Sequence, residues 1–199
     1  MPNATRANWA RLMALPLALG LSGCLSLSGD VPDSLLELTP QRAVQAGTAR
    51  SGNLAQAIAV VDLETPAKLD VLRVPVQSNA TEITYLKDAV WVEKPARQFS
   101  RLLAETIRAG GTRLVLDATE GRFQASTRLT GQLLDLGYDA ASQSVIVRYD
   151  AVLTRSDGSI SNRRFESRVP GISAEAGAVG PALNQAANDV AAQVADWVG

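Results

Sequence analysis

Histidine is absent from the 199 residues. That one gap removes the Ser-His-Asp triad, the imidazole metal ligand and the HExxH helix. Cysteine occurs once, at Cys24, so no disulfide can form within one chain. Lysine occurs at Lys68, Lys87 and Lys94 only, with no Ser-x-x-Lys motif. No glycine-rich phosphate loop is present, since Gly110-Gly111 stands alone. Asp62 and Glu64 would share one face of a strand, as a glycosidase-like pair would need, but an exposed strand explains them equally well. The reading is a protein that is not an enzyme, with no catalytic residue, no metal ligand and no cofactor site. A further shortage is basic charge. Nucleic-acid binding rests on dense Lys and Arg neutralising phosphates, and this chain is mildly acidic, so nucleic acid is not expected as a partner.

What is present begins at the N-terminus. Arg6 and Arg11 precede a run from Leu12 to Leu21 that is apolar except for Pro16 and Gly20. Ten residues of helix reach only about 15 Å, half of a ~30 Å hydrocarbon core, so this is a secretory signal and not a membrane span. It closes on Leu21-Ser22-Gly23-Cys24. Leu at −3, small residues at −2 and −1, and Cys at +1 resemble the lipobox of bacterial lipoproteins. That resemblance implies cleavage before Cys24, diacylglycerol on its thiol and a fatty acyl chain on the new amine, giving a firm anchor. Leu25 follows the cysteine where, by resemblance to the enterobacterial sorting rule, an aspartate would signal retention in the inner membrane; that resemblance implies the outer membrane and its lipid. Removing Arg6 and Arg11 with the signal leaves 17 basic against 20 acidic residues, a net charge of −3 on the chain from Cys24.

Three segments are expected: residues 1–23 as signal peptide, 24–53 as lipidated cysteine and tether, and 54–199 as one domain. The tether contains an apolar island, Leu35-Leu36-Glu37-Leu38, ending at Pro40, which is open to reading as an edge strand or as a strap across the domain. In the domain, Ile58–Leu63 is β-rich, Val71–Val76 alternates and carries Pro75, and Ile83–Leu86 and Ala89–Val92 are short extended pieces. Pro95 opens a helix whose apolar stripe is Phe99, Leu102, Leu103 and Ile107, with Gly110-Gly111 as its stop. Arg113–Asp117 reads as a strand. Thr127–Tyr138 reads as a longer one, whose apolar phase switches between Leu133 and Leu134 and so predicts a bulge. Residues 145–153 alternate, Ser156-Asp157-Gly158-Ser159 signals a hairpin, and Ile160–Val169 returns. Leu183, Ala187, Val190, Val194, Trp197 and Val198 trace a closing helix over 181–198. The predicted fold class is α+β: an antiparallel sheet with two helices packed on one face, a two-layer sandwich. Trp91 has two readings, a cap on the core beneath the first helix or a partner contact. Trp197 is expected in the core.

Several stretches carry a resemblance over roughly residues 54–198. They are Leu72–Val76, Ile83–Val92, Pro95 with Phe99–Leu103, Gly131–Asp135, Arg164–Glu166 and the Ala/Val/Trp C-terminal helix. The sequence resembles the auxiliary lipoproteins of ABC-type transport systems. The resemblance implies an outer-membrane lipoprotein on the periplasmic face, the non-catalytic partner of a machine that moves phospholipids or other lipids between the two membranes. The implied partners are an MCE-domain periplasmic protein and the ABC permease and ATPase. Of the site residues only the lipid anchor, Cys24, carries over. The family's early Tyr-x-Leu-x-Pro-like segment corresponds here to Leu36–Pro40, without the tyrosine. An exposed edge, Val71–Val76 or Ile83–Leu86, could add to a partner's sheet, and a homo-oligomer is compatible with such an edge. Two other functions fit the same residues: a tethered periplasmic lipid-binding carrier, and a structural lipoprotein assisting outer-membrane assembly.

Overall fold

In the computed structural model the β-rich runs form, among the described residues, a seven-stranded sheet with two helices. The structure describes residues 34–111, 113–116 and 125–199. The expected signal peptide and Cys24 therefore lie outside the described residues. In chain order the elements are β1 (Ile58–Val60), β2 (Arg73–Gln77), β3 (Ile83–Val90), α1 (Pro95–Gly110), β4 (Val115–Leu116), β5 (Thr127–Asp139), β6 (Ser144–Thr154), β7 (Ile160–Pro170) and α2 (Ala176–Val198).

The α+β sandwich is as expected, but the sheet is mixed. β5, β6 and β7 form an antiparallel meander, and β2 pairs antiparallel with β3. β1 and β2 run parallel to β5, and β4 runs parallel to β1. Alternation reports which face a side chain takes and says nothing of strand direction. Parallel neighbours need a long crossover, and the connection from β1 to β4 supplies one that contains α1.

The expected bulge is present: the β5–β6 register shifts between Leu133 and Asp135, leaving Leu134 unpaired. Leu129 and Leu133 before it, and Leu136 and Tyr138 after it, can then all point into the core. The hairpin turns at Gly158, whose φ of +82° suits glycine. The pieces read as Ile83–Leu86 and Ala89–Val92 are one strand through Val90, interrupted at Lys87-Asp88, where Asp88 has φ +58°. Pro95 stands at the start of α1, and the helix stops at Gly110 as expected. Gly111 is extended at φ −128°, so no left-handed cap forms. α2 starts at Ala176, five residues before the expected 181. Pro181 is tolerated because it sits early in the helix, where its missing N–H costs one bond back to Gly177.

The inner face of the sheet is apolar on every second residue. Val145, Val147, Tyr149, Ala151 and Leu153 of β6 are all buried. Ala182, Ala186, Ala187 and Ala191 of α2 lie against this layer, and their small side chains allow close approach. Phe99 of α1 meets Tyr149 edge to face at 5.6 Å between ring centroids. Trp197 packs on Phe165 at 5.5 Å.

The domain begins earlier than Leu54. Residues 36–44, expected within a tether, lie along both helices and the end of β3. Leu36 makes a parallel bridge to Trp91, and Leu38 is buried. Polar side chains of the helices hold the backbone of this strap. Leu38 N–H donates to Gln98 Oε1 (2.8 Å), Thr39 N–H to Asn184 Oδ1 (2.9 Å), Gln41 N–H to Asn188 Oδ1 (2.8 Å) and Val44 N–H to Glu105 Oε1 (2.7 Å). The lack of periodicity over residues 25–53 hides this, because the partners lie 60 or more residues ahead in the chain.

Candidate functional site

Two layers leave one sheet face without helices, and the side chains on it are set by the same period of two. On β6 the residues alternating with the core are Ile146, Arg148, Asp150 and Val152. The pairing sets Arg148 opposite Glu166 and Asp150 opposite Arg164 of β7, with Asp135 of β5 opposite Arg148 on the other side. Opposite charges in directly facing positions attract across the ladder. Arg148 donates to Asp135 Oδ2 at 2.5 Å and to Glu166 Oε2 at 2.7 Å, and Lys68 closes on the other oxygen of Asp135. Arg164 holds Asp150 through both nitrogens at 2.6 Å each, a bidentate pair.

These partners set the titration of the face. The Arg164 guanidinium holds the Asp150 carboxyl below its usual range, helped by the charge of Arg148. The Ser142 hydroxyl, with backbone N–H groups and Arg168, lowers that of Asp139. On the inner side, burial pushes the Tyr149 phenol up, and its hydroxyl donates to Thr130 O at 2.7 Å.

Within the open face lies a groove of about 140 Å³. Its lining includes the apolar Pro75, Ile83 and Ile146 and the charged Lys68, Asp135, Arg148 and Asp139. Gly137 is required here: a Cβ would come within 2.5 Å of Pro75 O, so only glycine lets β2 lie this close. The groove is smaller than the roughly 300–1,000 Å³ of small-molecule sites. With its charges already paired, it suits the side chain of a docking protein better than a free ion. Among the described residues, no group of three or more His, Cys, Asp and Glu is placed to hold a metal. No described helix is long and apolar enough to cross a membrane.

The residues singled out by sequence fall apart in space. Asp62 and Glu64 are both exposed and neither lines this groove. Trp91 is 1% exposed, so it is a core residue and not a contact. Of the two candidate edges, Val71–Val76 is ruled out because β2 is paired on both sides, to β3 and β5. Ile83–Leu86 remains, since β3 ends the sheet order and only its Trp91 end meets the strap. β7 is a second edge, pairing β6 alone among the described residues. The ion-pair lattice on the open face was missed. Its residues alternate visibly in each strand, but the pairing register that joins them was needed to see it.

A family model described as "ABC-type transport auxiliary lipoprotein component" matches residues 36–195. No curated protein matches the chain in sequence. Among solved structures, a Xanthomonas campestris protein of the DUF330 family is similar at 17% identity and a TM-score of 0.68, covering 83% of this chain and 94% of that one. An uncharacterised protein is similar at 12% identity and a TM-score of 0.63, covering 76% and 97%. At such identities these two likenesses bear on the fold alone.

Proposed function

We propose a role for this chain from one premise: it belongs to the family of ABC-type transport auxiliary lipoprotein components. In this role it is a non-catalytic subunit held at the periplasmic face of the outer membrane by lipid on Cys24. It docks an MCE-domain carrier and, through it, the permease and ATPase that move phospholipids or other lipids between the membranes. The observation that carries the reading is the extent of the family match, which runs from the strap at residue 36 through α2 to residue 195. Supporting it, the open sheet face and the free β3 and β7 edges offer surfaces for protein docking and for edge-to-edge assembly of copies, while the space between sheet and helices is filled by side chains.

The test is an in-cell crosslink and pull-down with a tag at Gly199, comparing the parent chain with Cys24→Ser. Recovery of an MCE-domain protein or its permease, weakened when the anchor is removed, is the expected result. Recovery of only a barrel protein or peptidoglycan would replace this reading with outer-membrane assembly. Phospholipid retained by the purified chain in native mass spectrometry would replace it with a tethered carrier.

A further inference from the structure

Among the large exposed apolar side chains, Leu35, Leu72 and Val92 fall on three neighbouring chain segments. Trp91 N–H donates to Leu72 O at 2.7 Å, and on the other side Val92 N–H donates to Leu36 O at 2.9 Å. Adjacent strands lie about 4.8 Å apart, so the three positions span about 10 Å of one corner of the β2–β3 arm. Leu35, Leu72 and Val92 are 49%, 42% and 49% exposed. The other three stand elsewhere: Ile83 at the far end of β3, Ile160 beside the hairpin turn, and Leu54 before β1. Of the charges beside the corner, Lys94 pairs with Asp70 at 2.7 Å and Arg101 with Glu93, Arg73 lies over the Tyr85 ring, and Glu37 is exposed.

This corner is also where the chain from Cys24 enters the domain. Eleven residue steps separate Cys24 from Leu35, which can span no more than about 40 Å whatever their conformation. A domain of this size has a radius of gyration of about 15 Å, so its far side is about 40 Å from the corner. An anchor on that lead keeps this corner within about 40 Å of the bilayer, whereas the far side can stand about 80 Å away.

We propose that the Leu35–Leu72–Val92 corner rests on the lipid surface to which the chain is anchored, inserting its three aliphatic side chains at the headgroup–acyl boundary. The proposal rests on the anchored reading of Cys24. It fixes an orientation: the corner faces lipid, while the open sheet face and the β7 edge remain clear for protein. Aliphatic side chains seated at that depth gain burial, while the exposed Arg73 and Glu37 beside them can stay at the headgroup level.

The test uses the full chain purified from bacterial membranes and reconstituted into phosphatidylethanolamine–phosphatidylglycerol vesicles containing brominated lipid, which quenches tryptophan at the acyl boundary. Leu72→Trp and Val92→Trp are compared with Ile160→Trp and with the parent chain. The expected result is loss of most of the added emission at 72 and 92, with the emission added at 160 retained. Unquenched emission at both 72 and 92, or equal quenching at 160, would overturn the proposal; the first would leave the corner to a protein partner. Two substitutions guard against one failing to fold. Mass spectrometry of the same sample reads acylation of Cys24 separately. Should the thiol be free, the sole cysteine is coupled to a maleimide lipid and the same quenching comparison decides the orientation.

Discussion

The backbone N–H of Leu38 donates to Oε1 of Gln98 across 60 residues of sequence, at 2.8 Å, and Gln98 is 1% exposed. The other end of the same amide donates to Glu93 O at 2.9 Å. One buried side chain thus joins the strap to the start of α1, and its loss leaves the Leu38 N–H without an acceptor. Gln98→Leu is expected to weaken the closed strap by about 1–3 kcal/mol. Trypsin cleavage after the exposed Arg42 should rise about five-fold or more, since each 1.4 kcal/mol is a factor of ten when the strap opens and closes faster than it is cut. Unchanged cleavage with an unchanged fold would show that the strap does not depend on this amide.

Gly131 and Gly180 should answer alanine in opposite ways. Gly131 has φ +150°, and a Cβ there would overlap Asp150 O and approach the Tyr149 ring. Backbone cannot yield as a side chain can, so Gly131→Ala is expected to cost more than about 3 kcal/mol in urea denaturation. A Cβ on Gly180 would meet only the end of the Leu36 side chain, at 2.8 Å. That methyl can rotate away, and alanine is the better helix former by about 1 kcal/mol, so Gly180→Ala should fall within about 1 kcal/mol of the parent.

Trp91 fills the core at 1% exposure, yet its indole Nε1 has no hydrogen-bond partner among the described residues. Its contribution is therefore its volume. Trp91→Ala is expected to lose about 3–5 kcal/mol and Trp91→Phe about 1–2 kcal/mol. Equal losses for the two would mean that the indole edge, and not the bulk of the ring, is what the site requires. The urea midpoint of each variant checks this.

Much of this fold was readable because its signals are local. The Leu133/Leu134 phase switch marks the bulge, Asp157-Gly158 marks the hairpin, and Pro95 with the Phe99–Ile107 stripe marks α1. What stayed hidden depends on partners distant in sequence. The strap's order comes from Gln98, Glu105, Asn184 and Asn188, none of which changes the composition of residues 36–44. The parallel pairs of β1 and β2 with β5 arise from connection geometry, which alternation does not encode. Of the open face, Asp135, Arg148 and Glu166 can each be read as an outward position, but their junction requires the register.

A second ion pair on the same face, Asp150 with Arg164, gives an acid response. Asp150 is held by Arg164, and its carboxyl lies below the ordinary value of 3.8 in the folded chain. A depressed carboxylate contributes stability that is fully present above its unfolded value and is lost as pH falls through the folded one. The Asp150–Arg164 contribution should thus be constant from neutral pH down to about pH 4 and disappear below it. In Asp150→Asn the amide keeps the shape but not the charge, so stability near pH 7 should fall modestly, as for a partly exposed ion pair, by about 1 kcal/mol or less. The difference between the two chains should then shrink below pH 4, as the parent's carboxyl takes up its proton. Urea midpoints at pH 7, 4.5 and 3 read it directly. A difference that persists undiminished at pH 3 would mean that Asp150 acts by packing and hydrogen bonding, and not by its charge.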